Sequence, residues 1–307
     1  MGNASLERRP VLDILAMVLL VVLCASWGLQ QVAIKVTNPG VPPLLQAGIR
    51  SAGSAALLWI WMALRREPFF KRDGTLGWGI AAGLLFAGEF LLIYWGLEFT
   101  NASRAVVFLY MAPFVVALGA QLFVTGERLR VIQVIGLCCA FAGIVAAFSE
   151  SLNTHSLRML IGDGMLAGAA VLWGATTVMI RACPLIHITA AKTLLYQLLV
   201  SALVLPLGSF IKGEGGIALV TPLILGSLAY QIIWVAFITY LAWFWMLRRY
   251  PPSRLASFTF LTPLFGVMAG GLLLNEPMTN MLLLALVLVA SGIYLVNRPA
   301  AAMTREA

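Results

Sequence analysis

Of the 307 residues, 61% are hydrophobic and only 10% are charged, and the mean hydropathy is +0.96. Soluble globular domains carry about 25% charged and 45–50% apolar residues, so this composition excludes a soluble fold and predicts an integral membrane protein. The net charge of +8 could suggest nucleic-acid binding. However, the basic residues stand at the ends of apolar runs, where they orient membrane helices, so no nucleic-acid partner is expected.

Ten apolar runs have about the 20 residues that a helix needs to cross the hydrocarbon core. In chain order they cover residues 12–36, 43–64, 76–97, 102–124, 130–149, 160–181, 188–211, 219–247, 253–274 and 279–297, and they are numbered here as spans 1 to 10. The first run is longer than the 7–15 residues of a signal-peptide core and no small-x-small cleavage motif follows it, so we expect a retained helix. The prediction is an all-α membrane protein with ten transmembrane helices.

The basic residues are distributed unequally between the two ends of these spans. Fourteen Lys and Arg residues fall on the side of the termini, and four fall on the other side. The four are Lys35, Arg104, Arg158 and Lys212, whereas Arg50 and Lys192 fall inside predicted spans. Because cytoplasmic loops are enriched in Lys and Arg, both termini are predicted to lie in the cytoplasm.

Four motifs of the first half recur in the same order in the second half, at offsets of 146–150 residues. The pairs are WGLQQVAIK (27–35) with WGATTVMIR (173–181), ASRAVVFLYMAPF (102–114) with PSRLASFTFLTPL (252–264), GERL (126–129) with NEPM (275–278), and AGIV (142–145) with SGIY (291–294). They relate spans 1, 4 and 5 to spans 6, 9 and 10. Because each half has five spans, the second enters the membrane in the opposite direction, which predicts two inverted five-helix repeats, residues 1–150 and 151–307.

The two inverted halves, the Trp-Gly motif, the Ser-Arg…Pro…Glu pattern and the Ala/Ser-Gly-Ile ending resemble the drug/metabolite transporter superfamily in its ten-helix EamA branch. Within that branch the chain is most similar to the YddG-type amino acid exporters. The resemblance covers essentially the whole chain. It implies a secondary transporter, not an enzyme, that exports amino acids, aromatic ones among them, or similar small metabolites by alternating access without ATP. It further implies the inner membrane of a bacterium, with an amino-acid-like substrate and the lipid bilayer as partners, and neither a cofactor nor an obligate protein partner.

A stripe of polar residues lies at the C-terminal end of span 1 and recurs in span 6. Helical spacing places four residues on one face of span 1: Trp27, Gln30, Gln31 and Lys35. The equivalent residues of span 6 are Trp173, Thr176, Thr177 and Arg181. Such side chains can hydrogen-bond neighbouring helices, or they can line a central cavity on the pseudo-twofold axis. The repetition favours the cavity, so the Trp, Gln and Thr residues of both stripes are predicted to bind substrate.

Glu89, in FAGEFLLIYWG, is the one carboxylate well inside a predicted span. A charge at the middle of the bilayer costs at least ~2.5 kcal/mol on the insertion scale, so such a residue is functional by default. We expect it to receive the ammonium group of an amino acid, with Gln and Thr side chains or a nearby base holding the carboxylate. The alternatives are a structural partner for Arg50 or a protonated, hydrogen-bonded carboxyl group. The equivalent position in span 8 is Thr239.

Aromatic residues and prolines complete the predicted site. Aromatic residues near span ends, such as Trp78 and Tyr230, are typical of an interfacial belt. Tyr94, Tyr110 and Trp243 are deeper or share a face with a polar neighbour, and they are expected to form flat apolar walls or cation–π contacts with a ligand amine. Pro113 and Pro263 interrupt spans 4 and 9 at equivalent positions. Because a proline inside a helix removes a hydrogen bond and kinks it, the matched pair is predicted to form two hinges.

Other chemistries find little support in the sequence. The four cysteines lie in or beside apolar runs and the two histidines stand apart near loops, so no metal site is expected. Walker A, H-E-x-x-H and G-x-S-x-G motifs are missing. Export of drugs, sugars or nucleotide derivatives stays open, as does an intramembrane enzyme, for which Glu89, Arg50 and Lys192 are the candidate ionisable groups. A channel is disfavoured because there are no rings of like charge.

Overall fold

The computed structural model describes residues 11–68, 73–100, 102–149, 156–274 and 281–298, and every regular element in these ranges is helical. The helices are α1 (Ile14–Thr37), α2 (Pro43–Leu64), α3 (Leu76–Gly96), α4 (Ala102–Leu109), α5 (Ala112–Phe123), α6 (Val131–Ala147), α7 (Leu157–Ala182), α8 (Ala190–Lys212), α9 (Pro222–Ala229), α10 (Tyr240–Arg249), α11 (Pro252–Phe258), α12 (Leu261–Leu274) and α13 (Leu282–Asn297). A π-helical segment, Tyr230–Thr239, joins α9 to α10.

These elements reproduce the ten predicted spans. Within the described ranges, eight helical stretches are long and apolar enough to cross a membrane, and α6 and α13 are apolar but shorter. Span 4 consists of α4 and α5, span 8 of α9, the π-helical segment and α10, and span 9 of α11 and α12. The predicted ends differ from the observed ones by at most three residues. The prediction of an all-α, ten-span membrane fold is confirmed.

Several helix ends are fixed by local side-chain caps. Asp13 accepts a hydrogen bond from the backbone N–H of Ala16 at the start of α1, at 2.8 Å. Thr189 and Thr221 cap α8 and α9 in the same way. The first N–H groups of a helix have no partner within it, so these caps define where each helix begins.

The inverted repeat appears as packing contacts that occur twice. A Cβ atom placed on Gly28 would lie 2.7 Å from the Phe265 Cβ atom, and one on Gly174 would lie 2.5 Å from a Val115 methyl group. Gly28 and Gly174 are the glycines of the two Trp-Gly motifs, and the residues that they face are related by the same repeat. Each motif therefore lets its span approach the proline-containing span of the opposite half closely.

Spans 5 and 10 pack against each other with the same symmetry. A Cβ atom on Gly136 would lie 2.7 Å from the carbonyl oxygen of Gly292, and one on Gly143 would lie 2.9 Å from that of Ala285. Gly143 corresponds to Gly292 and Gly136 to Ala285, in both cases at an offset of 149 residues. These two contacts are thus symmetry mates, as an inverted repeat requires.

The remaining spans form two bundles. Spans 1, 2, 8 and 9 pack together as the first bundle, and spans 3, 4, 6 and 7 pack together as the second. Each bundle takes two spans from each half, so the halves interlock. The bundles are bridged by α2 and α8, where Gly48 faces Pro206. The predicted boundary at 150/151 lies outside the described residues, and the division of the chain there stays a prediction.

Candidate functional site

Two opposite charges are buried where the bundles meet. Arg50 of α2 is 1% exposed and Glu89 of α3 is 8% exposed. They lie on helices that are in contact, but no nitrogen of the Arg50 guanidinium has a hydrogen-bond partner within the described ranges. The guanidinium instead lies over the Phe90 ring, 4.5 Å from its centroid. The structure therefore contains no hydrogen-bonded Arg50–Glu89 pair.

On the first bundle, three predicted residues meet. The indole Nε1 of Trp27 donates to the Thr239 hydroxyl at 2.9 Å, and that hydroxyl donates to the Val235 carbonyl oxygen at 2.6 Å. The Trp27 ring meets the Trp243 ring edge to face, with 5.5 Å between centroids. Gln30 lies beside the hydroxyl of Tyr240, the residue that follows Thr239. Trp27, Thr239 and Trp243 thus form one aromatic wall held by a hydrogen bond.

On the second bundle, Tyr110 and Trp173 meet edge to face, with 5.8 Å between centroids. Thr176 and Thr177 are buried beside them in α7. Their hydroxyls donate to the carbonyl oxygens one turn earlier in the same helix, at 2.8 and 3.1 Å. Because each hydroxyl has one hydrogen, these residues keep only acceptor capacity for a ligand. They suit an ammonium group, not the carboxylate that the sequence interpretation assigned to Thr side chains.

Tyr94 lies apart from the other predicted aromatic residues. It stacks on Phe90 with 6.3 Å between centroids and packs with Leu44, Ala47 and Leu205 in a separate small cluster. Phe86 connects this cluster to the centre, because its ring contacts both Phe90 and Tyr240. These rings join the two bundles, and Phe86 and Phe90 carried no signal in the sequence analysis.

Span 8 is distorted by the π-helical segment, which the sequence did not predict. Its side chains are bonded to α1: the Tyr230 hydroxyl donates to the Ser26 carbonyl oxygen and the Trp234 indole donates to the Ser26 hydroxyl, both at 2.9 Å. The Ser54 hydroxyl of α2 donates to the Ile232 carbonyl oxygen at 2.8 Å. π-Helical segments are frequent at functional sites. The equivalent span 3 is a regular α-helix, so the halves differ where Thr239 corresponds to Glu89.

Both predicted proline sites are helix interruptions. Pro113 lies in the first turn of α5 and Pro263 in the first turn of α12, directly after the breaks between α4 and α5 and between α11 and α12. Tight turns bridge the two breaks, with Phe114 N–H donating to the Met111 carbonyl oxygen at 3.0 Å. Each proline therefore stands in the first turn of the second segment, where its missing N–H group costs no intrahelical hydrogen bond. The hinge function of both prolines stays a prediction.

An ion pair that the sequence analysis missed lies inside the second bundle. Arg104 and Asp163 form a direct salt bridge with side chains only 3% and 4% exposed. The Thr100 hydroxyl also donates to Asp163, at 2.9 Å. The sequence analysis assigned Arg104 to a span end and overlooked the carboxylate near the start of span 6. The sequence did contain a signal: Asp163 is a carboxylate inside the apolar run of span 6, and the Ser-Arg motif of span 4 contains Arg104 as a possible partner.

Lys192 lies inside span 7, as predicted, but in its first turn. The helix begins at Ala190, and the Lys192 ammonium lies 2.7 Å from an Asp73 carboxylate oxygen. The ammonium and the Thr75 hydroxyl lower the pKa of Asp73, which lies outside the spans, to about 2. Lys192 is therefore an end-of-span residue paired with a connecting segment, not an ionisable group of the transmembrane core.

The bundles are tied together at the end where α7 finishes. A guanidinium nitrogen of Arg181 donates to the carbonyl oxygens of Leu247 and Arg248, at 3.1 and 2.9 Å, and Arg248 donates to Ile186. Arg181 belongs to the second bundle and α10 to the first. These bonds therefore close the gap between the bundles at this end.

The opposite end is more open. Lys35 is the repeat counterpart of Arg181, yet it is exposed, and Gln31 is exposed whereas its counterpart Thr177 is buried. Gln31 lies roughly 140–180° around α1 from the exposed Val18 and Val22, and roughly 80–100° from the exposed Ile14 and Val21. Its Cγ atom lies near Gly266 of α12. The Lys35 end of the repeat is therefore more exposed than the Arg181 end.

Interlocked inverted repeats, with buried charges where two bundles meet, define a membrane transporter. Residues 14–149 and 160–298 match the EamA-like transporter family, and the chain belongs to that family, within the drug/metabolite transporter superfamily. The prediction of the EamA branch is confirmed, while the similarity to YddG-type exporters stays a prediction.

Relatives and a solved structure agree with this assignment. The chain is 29% identical to a probable amino-acid metabolite efflux pump of Escherichia coli (strain K12), over 91% of this chain and 93% of that protein. It is 25% identical to the uncharacterized transporter YoaV of Bacillus subtilis (strain 168), over 88% of this chain and 92% of that protein. A solved structure titled "Crystal structure of protein" superposes with a TM-score of 0.79 at 20% identity, covering 91% of this chain and 96% of that one, which shows a shared fold.

Proposed function

We propose that this protein is a secondary transporter that exports amino acids or similar small metabolites by alternating access. The observation that carries the proposal is the buried Glu89 carboxyl group of the second bundle, next in sequence to Phe90, whose ring contacts Arg50 of the first bundle. A burial of this kind costs several kcal/mol and persists in transporters at substrate sites. The names of the Escherichia coli and Salmonella typhimurium relatives, both probable amino-acid metabolite efflux pumps, support the same substrate class.

In this mechanism Glu89 receives the ammonium group of the substrate. Thr176 and Thr177 add hydroxyl oxygens that can accept from it. The Trp27–Trp243 wall and the Tyr110–Trp173 wall enclose the substrate side chain from the two bundles. Because the walls belong to different bundles, movement of one bundle against the other opens or closes the space between them.

The charge distribution supports a bacterial inner-membrane location with both termini in the cytoplasm. In that orientation the exposed Gln31 and Lys35 lie toward the outer end, and the Arg181 bonds link the two bundles at the cytoplasmic end. The conformation then corresponds to the substrate-releasing state of an exporter. Loading from the cytoplasm requires Arg181 to leave the carbonyl oxygens of α10, after which the equivalent outer end closes.

The test is counterflow into proteoliposomes, with a panel of labelled amino acids, amines, sugars and nucleosides. The protein should exchange one or more amino acids, and Glu89→Gln, which keeps the size but loses the charge, should abolish the exchange. Glu98→Gln is the matched control, because Glu98 is an exposed carboxylate that pairs with Lys212. If sugars or nucleosides are exchanged and amino acids are not, the proposed substrate class is wrong. If Glu89→Gln retains full activity, Glu89 does not bind the substrate.

A further inference from the structure

Arg50 is a buried cation whose hydrogen-bonding capacity is unused. All three guanidinium nitrogens lie out of solvent contact without a hydrogen-bond partner in the described part of the chain. A guanidinium carries five N–H donors in a fixed plane and keeps its charge in proteins. Leaving buried donors unsatisfied is costly, and more so when they are charged. A ligand that accepts from these donors would therefore bind strongly.

We propose that Arg50 is the carboxylate-binding residue of the transport site, so that the cargo must carry an anionic group beside its ammonium group. The proposal rests on the proposed function, and it adds the chemical group that the site requires of its substrate. Among the predicted site residues, Thr176, Thr177 and Thr239 already donate their single hydroxyl hydrogens to backbone carbonyl oxygens. Arg50 is the nearby base that supplies donors instead.

The contact with Phe90 orients the guanidinium for this role. The Phe90 ring covers one face of the guanidinium group, and the central guanidinium carbon of Arg50 lies 4.5 Å from the ring centroid. Carboxylates bind arginine along its N–H edges, in the plane of the group, through two parallel hydrogen bonds. Stacking on a face leaves those edges free, so Phe90 fixes the plane in which a carboxylate is recognised.

The α2–α8 bridge, to which Arg50 belongs, carries further buried polar atoms that have no partner among the described residues. One turn before Arg50 on α2 is the Gln46 side-chain oxygen. On α8 they are both polar atoms of the Gln197 side chain and the Ser201 hydroxyl. Buried polar groups are normally hydrogen-bonded, and exceptions of this kind call for a functional explanation. The bridge between the bundles is thus lined by polar groups that a charged substrate can engage.

The placement of the two charges links binding to movement. Arg50 belongs to the first bundle, whereas Glu89 and Phe90 belong to the second. A zwitterion with its carboxylate on Arg50 and its ammonium on Glu89 would connect the two bundles. A substrate that lacks either group would contact one bundle only, so it would bind without driving the transition between states.

The experiment compares each transported amino acid with its carboxamide and its N-acetyl derivative as competitors of counterflow. Wild-type protein should prefer the free amino acid over the carboxamide by about 10-fold or more, the scale of a lost hydrogen-bonded charge contact. Arg50→Gln should lose this preference while it still discriminates against the N-acetyl derivative, and Arg50→Lys should keep part of it. Arg158→Gln is the matched control, because Arg158 also lies over an aromatic ring but is exposed.

Retention of the carboxylate preference by Arg50→Gln would overturn the proposal, and so would equal affinity of wild-type protein for the amino acid and its carboxamide. A second measurement separates this result from failure of the proposed function. Benzoate, a carboxylate without an ammonium group, should raise the melting temperature of wild-type protein more than benzamide does, and Arg50→Gln should abolish the difference. If benzoate stabilises the protein but no amino acid is exchanged, the anion site at Arg50 is supported and the proposal of an amino acid substrate is rejected. No stabilisation by benzoate would count against the anion site itself.

Discussion

Replacement of Asp163 by Asn removes the charge that neutralises Arg104 inside the second bundle. Both side chains are at least 96% buried, so solvent screening is minor. Loss of one partner from a buried pair costs about 3–5 kcal/mol, because the remaining buried charge loses its contact with the opposite charge. At about 2 °C per kcal/mol for a large domain, the melting temperature should fall by about 6–10 °C. Arg104→Gln should have an effect of similar size.

The double variant separates pairing from burial. With Arg104→Gln and Asp163→Asn together, no uncompensated charge remains and the two amides can hydrogen-bond. The double variant should therefore be more stable than either single variant, with a coupling energy of about 2 kcal/mol or more. Melting temperatures in detergent, followed by size-exclusion chromatography after heating, provide the measurement. Additive losses in the double variant would refute the interpretation of these residues as a coupled pair.

Three further predictions concern orientation, hinges and packing. A single cysteine at Gln31 in a cysteine-free protein should react with an impermeant thiol reagent only from outside the cell, and reaction only from the cytoplasm would reverse the orientation. Pro113→Ala and Pro263→Ala should leave folding intact and slow counterflow, because a continuous helix favours one state; wild-type rates in both would make the prolines packing residues. Gly136→Ala should lower the melting temperature by an amount equivalent to about 1–3 kcal/mol of overpacking. Gly164→Ala should leave the melting temperature unchanged, because none of the neighbouring atoms in the described residues lies within 4 Å of the added methyl group.

The spans could be predicted almost to the residue because the bilayer leaves the backbone few choices. In hydrocarbon each N–H and C=O group must be satisfied within its own segment, so a sufficiently long apolar run becomes a helix. The inverted repeat followed from paired motifs in the same order, of which the Trp-Gly motifs mark positions where helices approach closely. Gly28 and Gly174 show this, as both face the opposite half at contact distance.

The site was only partly accessible to the same reasoning. Trp27 and Gln31 could be identified because helical spacing within one span places them on a shared face. Their different surroundings could not be predicted, because exposure depends on how far the bundles are separated at each end. Tyr94 was expected to line the substrate space together with Tyr110 and Trp243, yet it packs in a separate cluster. A position within a span does not specify which neighbouring span the side chain meets.

The sequence alone determined the membrane class, the ten spans, their alternation and the inverted symmetry, since each depends on hydropathy and spacing along the chain. Only the tertiary structure decided that Arg50 stacks on Phe90 without a hydrogen-bond partner, that Arg104 pairs with Asp163, and that Arg181 closes one end. These contacts join spans that are distant in the chain, and the two halves are not chemically identical where they meet. The pairing of side chains across helices follows from packing geometry, which the order of residues in any one span does not contain.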